Sequence, residues 1–137
     1  LLNRKDIKSK KEVMTVESKG SKYDEKIEEV ISKLLRRGYT DIKATIEPYE
    51  VPASIVGQNH ESELIPDITA EKWGGKGYFE ISKKDVDPSE LASKWKVLEL
   101  LAKMKSGEFQ IYVPHGSMQF TQRIIEKHNI QADLVKI

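Results

Sequence analysis

The chain contains no cysteine, which removes disulfides and thiolate metal sites from consideration together. No apolar run comes near the roughly 20 residues that a membrane-spanning helix requires. The opening Leu1-Leu2 is followed at once by Asn3, Arg4, Lys5 and Asp6. That start reads as neither a signal peptide nor an anchor, so the expectation is a cytoplasmic chain with no membrane partner. An excess of charge is missing too. With 23 Lys and Arg against 22 Asp and Glu the formal net charge is +1, and any face for nucleic acid would have to come from local segregation of charge. What remains is 137 residues, enough for one domain and too few for two ordinary ones.

Residues 1–20 are lysine-rich without a sustained period (Arg4, Lys5, Lys8, Lys10, Lys11, Lys19). They read as a basic arm, either solvated or tracking a phosphate backbone, with a short edge strand possible over Val13–Val16. A single domain is expected over 21–137. Its first element is a helix: Tyr23, Ile27, Val30, Ile31, Leu34 and Leu35 recur at helical spacing. Ser21 stands where an N-cap belongs, and Gly38 supplies a left-handed terminus. Ile42–Ile46 alternates like a strand. Residues 53–65 read as a long polar loop. Segments 66–73 and 77–83 then make a hairpin around Gly74-Gly75-Lys76-Gly77. A second helix opens at Asp87-Pro88-Ser89-Glu90, with an aspartate cap and a proline in the first turn, and is closed by Gly107. Phe109–Val113 forms a strand, a third helix runs from about Ser117 to His128, and Ala132–Ile137 forms a last strand. The class is α/β. The strand–helix–strand–helix–strand tail calls for parallel pairing, so the central sheet should be mixed, with helices flanking it.

Chemistry concentrates at Pro66-Asp67 and Phe79-Glu80-Ile81-Ser82-Lys83. Two carboxylates on neighbouring strands, facing the same way, suit a hard divalent cation such as Mg²⁺ or Mn²⁺. Such a cation takes oxygen ligands and keeps several waters, and it lowers the pKa of an attacking water while polarising a phosphate. On local grounds alone a second reading stands beside this one, with Asp67 a turn residue after proline and Glu80 a solvated strand position. Three histidines, His60, His115 and His128, show no ligand spacing. Of these, His115 in Pro114-His115-Gly116 is the one placed to approach a substrate. Trp95 reads as core.

The element order helix–strand–strand–strand–helix–strand, with the carboxylates on its second and third strands, resembles the restriction-endonuclease-like core of the PD-(D/E)xK nuclease superfamily. A local similarity extends to archaeal Holliday junction resolvases. Lys19-Gly20-Ser21-Lys22-Tyr23-Asp24-Glu25 running into Leu34-Leu35-Arg36-Arg37-Gly38-Tyr39 resembles their first helix, and Pro66-Asp67-Ile68-Thr69-Ala70 resembles their second strand. The resemblance implies Asp67 and Glu80 as metal ligands and Asp24 or Glu25 as a first-helix acid assisting them. It implies DNA as the partner, and the family makes a homodimer an expectation. One position departs from the family pattern: Glu-x-Lys reads Glu80-Ile81-Ser82 here. A serine donates a hydrogen bond but brings no charge to the developing transition state. Lys83 is adjacent, although strand alternation sends it to the other face unless a bulge intervenes. Lys94, on the apolar side of the second helix, could extend its ammonium to the sheet. The expected function is therefore a metal-dependent endonuclease acting on structured or duplex DNA. The alternative is a catalytically silent module of the same fold that binds nucleic acid or protein.

Overall fold

A computed structural model describes residues 22–55 and 63–137. The basic arm, the strand considered over Val13–Val16, the Ser21 cap and His60 lie outside the described residues. The elements are α1 (Asp24–Arg36), β1 (Thr40–Ala44), β2 (Ile68–Lys72), β3 (Gly75–Ile81), α2 (Pro88–Met104), β4 (Phe109–Val113), α3 (Met118–Lys127) and β5 (Asp133–Lys136). The five strands form one sheet in the order β1-β2-β3-β4-β5. The first three pair antiparallel, and β3, β4 and β5 run parallel. The sheet is thus mixed, as the alternation of elements requires.

Both faces are covered. On one, the α1 stripe of Ile27, Val30, Ile31 and Leu34 packs on Ala44, Ile68, Ala70, Phe79, Ile81 and Tyr112. On the other, Leu91, Trp95, Leu98 and Ala102 of α2 and Ile124 of α3 cover Tyr78, Phe109, Ile111 and Val113. The hairpin of β2 and β3 is accordingly the centre of the molecule, and alternation along β3 hands Phe79 and Ile81 to one core and Tyr78 to the other.

The helix ends follow local chemistry. The Asp87 side chain accepts from the Ser89 amide at 2.8 Å, and Pro88 occupies the first turn of α2. Tyr23 stands at the N-cap of α1 without a side-chain cap bond. At the far end of α1, Gly38 adopts φ +91°, with Tyr39 N–H reaching Leu34 O and Gly38 N–H reaching Leu35 O, which is the paired bonding of a Schellman terminus. The end of α2 departs from expectation, because the left-handed residue is Ser106 (φ +56°) and not Gly107. Gly107 serves a different need: a Cβ there would fall 1.9 Å from the Lys76 carbonyl oxygen.

The hairpin turn is also earlier than the glycine cluster suggests. Lys72 pairs with Gly75, which leaves Trp73-Gly74 as the two-residue loop. Gly75 lies in the strand because a Cβ would meet the Ser106 carbonyl oxygen at 2.2 Å. Gly75 and Gly107 thus let two backbones meet, Gly77 makes room for the Phe79 ring, and Gly74 serves the turn. Among the described residues no helix is long and apolar enough to cross a membrane.

Candidate functional site

Asp67 lies one position before β2, opposite Glu80 by continuation of the Ile68–Phe79 pair. Opposed residues of an antiparallel pair share a face, here the face covered by α2. Both are nearly inaccessible, at 3% and 1% exposure. Their burial is matched by an almost complete set of partners. The Asp67 amide donates to Glu80 Oε2 at 2.8 Å and the Ile81 amide donates to Asp67 Oδ2 at 2.9 Å. The indole N–H of Trp95 donates to Glu80 Oε1 at 3.2 Å. Glu80 is thus held at both oxygens and Asp67 at Oδ2, while Asp67 Oδ1 and Glu80 Oε2 border the same space.

Two ammonium groups enter that space. Lys94 Nζ, from the second turn of α2, lies 3.2 Å from Glu80 Oε2 and 3.9 Å from Asp67 Oδ1. Lys83 Nζ lies 2.7 Å from Asp67 Oδ1. The alternation argument against Lys83 fails for a local reason. The β3 ladder ends at Ile81, so residue 83 is already on the connection to α2 and its stem folds back over the strand end.

Burial raises the pKa of Glu80 to about 7, reinforced by the neighbouring Asp67 charge and opposed by Lys94 and Lys83. Burial pulls the Lys94 ammonium down, but the Glu80 and Asp67 carboxylates outweigh it and leave its pKa raised. The pair shares its charge: the more Glu80 is protonated, the less it supports Lys94. The direction that survives this coupling is the upward one at Glu80, because a carboxyl removed from water beside a second carboxylate favours the proton.

Ser82 turns its hydroxyl to α3. It is fully buried, and its hydroxyl lies 2.5 Å from that of Thr121 on α3. The Thr121 hydroxyl in turn donates to the Ser117 carbonyl at 2.7 Å, so Ser82 is the donor in the shared bond. It ties the end of β3 to α3. Asp24 and Glu25 stand in the first turn of α1, half-buried and exposed respectively. They are not gathered with Asp67 and Glu80. Among the described residues no group of three or more His, Cys, Asp or Glu side chains is arranged to hold a metal ion. His115 lines a pocket with Pro114, Gly116 and Lys136 that includes neither carboxylate.

The anchoring role of Trp95 is not evident from its place in the apolar stripe of α2. The available signal is that a buried indole N–H needs an acceptor, and Lys94 beside it already points to the carboxylates. Comparison with known proteins finds no matching family model, no matching curated protein and no matching solved structure.

Proposed function

We propose that this chain is a divalent-metal-dependent endonuclease of the PD-(D/E)xK type, acting on phosphodiesters of structured or duplex DNA. The observation that carries the reading is the convergence of Asp67, Glu80 and Lys94, with one ammonium 3.2 and 3.9 Å from the two carboxylates. The missing charge of Glu-x-Lys is supplied here from α2 and not from β3.

The donor set fits Mg²⁺ or Mn²⁺ in kind and number, since one or two carboxylates with waters suffice for such an ion. Asp67 Oδ1 and Glu80 Oε2 are the oxygens that would hold it, while Ile81 N–H and Trp95 Nε1–H fix the opposite oxygens of the two groups. When bound, the ion would supply a more acidic water and a polarised phosphate. Lys94 would then give fixed positive charge to the phosphate as negative charge develops. Lys83 is the more exposed of the two ammonium groups, at 23% against 17%, and is the one freer to swing outward to a phosphate of the backbone. The proton on Glu80 competes with the cation, so binding should strengthen as pH rises towards about 7.

A second reading is favoured by a specific observation. The carboxylates are buried and their outward oxygens already face ammonium groups, so the cluster would be a closed internal ion network of a silent, binding module. Thermal unfolding with and without excess Mn²⁺ separates the two. A cation that binds the folded state raises the melting temperature, and Asp67→Ala should abolish the rise. No rise in the wild type favours the closed network.

A further inference from the structure

Trp73 is 94% exposed and forms, with Gly74, the two-residue loop between β2 and β3. Its φ of +55° and that of Gly74 at +80° are the positive values of a type I′ hairpin turn. Such a turn prefers Asn, Asp or Gly at the first central position, and a bulky residue is strained there. The largest side chain in the code thus occupies a costly conformation and buries almost nothing in return. The Lys72 ammonium lies 4.6 Å from its ring centroid and 5.0 Å from that of Tyr39. The tip is basic. Lys76 flanks it on β3, and the Lys76 amide bonds to the Lys105 carbonyl, bringing the exposed Lys105 alongside. Of the nearby carboxylates, Glu108 is already engaged by Arg37 and Gln110, leaving Glu71, which pairs across the ladder with Lys76.

We infer that Trp73 is a stacking platform for an unpaired nucleobase, with Lys72, Lys76 and Lys105 receiving the flanking phosphates. An exposed indole with one ammonium over its ring and further lysines on the neighbouring backbone is a combination that holds single-stranded nucleic acid without reading its sequence. A lone indole beside a glycine offers too little apolar area to anchor in a lipid surface. The inference rests on the nucleic-acid reading above and narrows it, to substrates with an unpaired segment. Asp67 and Trp73 lie six residues apart along one extended strand, or roughly 20 Å. An unpaired base on Trp73 would therefore sit roughly 20 Å along the hairpin from the carboxylates.

Fluorescence tests the contact directly, because the second tryptophan, Trp95, is fully buried and serves as an internal reference. The full-length chain is titrated with a twelve-residue oligothymidylate at low salt in the presence of EDTA, which excludes cleavage. Saturable quenching is expected in the wild type, and none in Trp73→Phe, where Trp95 alone emits. Trp73→Asn suits the turn and should fold, yet weaken binding measured by anisotropy by about tenfold or more. Equal affinity for Trp73→Asn and wild type, or quenching by phosphatidylserine vesicles without any by the oligonucleotide, overturns the inference. Cleavage retained alongside equal affinity would remove the platform and leave the nuclease reading. Quenching retained without cleavage would do the reverse.

Discussion

Lys94 Nζ lies 3.2 Å from Glu80 Oε2, with the lysine side chain 17% exposed and the glutamate 1%. Removing the ammonium leaves two buried carboxylates with Lys83 as their remaining cation. Loss of one partner from a buried pair typically costs 3–5 kcal/mol, and the presence of Lys83 puts the expected cost of Lys94→Ala at about 3 kcal/mol at pH 8. The loss should shrink at pH 5, where Glu80 holds its proton. Urea unfolding at the two pH values checks this, and equal losses at both would show that Glu80 does not respond to Lys94.

The raised pKa of Glu80 sets a sign for the pH dependence of stability. The folded state holds this proton more tightly than the unfolded chain, whose carboxyl titrates near 4.5. The linked share of stability is therefore complete below 4.5 and is lost as pH rises through about 7. Glu80→Gln removes that proton equilibrium. The difference in unfolding free energy between wild type and Glu80→Gln should move against the wild type across this window, and a flat difference would contradict the shift.

Ser82 offers a prediction in which the fold overrules the motif. Its hydroxyl makes one buried bond to Thr121, so Ser82→Ala should cost about 1 kcal/mol. Restoring the motif by Ser82→Lys would force a long cationic side chain into the fully buried contact between β3 and α3. That variant should lose several kcal/mol of stability instead of gaining activity, as circular dichroism during thermal melting would reveal.

Gly75→Ala probes the contact between the hairpin and the α2–β4 connection. The added methyl would sit 2.2 Å from the Ser106 carbonyl oxygen, so one of the two backbones must shift. A loss of about 2 kcal/mol or more is expected in denaturant unfolding, whereas a neutral result would show that the connection yields.

Local signals carried much of this architecture. The α1 stripe from Ile27 to Leu34, the Asp87-Pro88 start of α2 and the whole of Phe109–Val113 stand where the pattern puts them. Features decided by distant backbone were not legible. Glycines 75 and 77 resemble a turn in the chain, but their small size answers to close packing. Gly75 meets residues 105 and 106, and Gly77 meets Phe79 and Glu108. The site shows the same division. The opposition of Asp67 and Glu80 follows from hairpin pairing, and Lys94 from helical periodicity. Alternation still holds at Ser82, on the face covered by α2 and α3, where Thr121 takes its hydroxyl, and it fails at Lys83, past the end of the β3 ladder. Asp24 and Glu25 rested on resemblance alone, and nothing local could say how far α1 stands from the carboxylates.

The central claim is that Asp67, Glu80 and Lys94 form a metal-dependent phosphodiesterase centre. It is tested most directly by Mn²⁺-supported cleavage of branched and duplex DNA. Wild type, Asp67→Ala and Lys94→Gln would be assayed at a temperature where circular dichroism shows each folded. The account predicts cleavage by the wild type, none by Asp67→Ala, and a rate about 10²–10³ lower for Lys94→Gln, the usual cost of one electrostatic contact to the transition state. A folded wild type that leaves every substrate intact, or a Lys94→Gln variant that cuts at the wild-type rate, would contradict it.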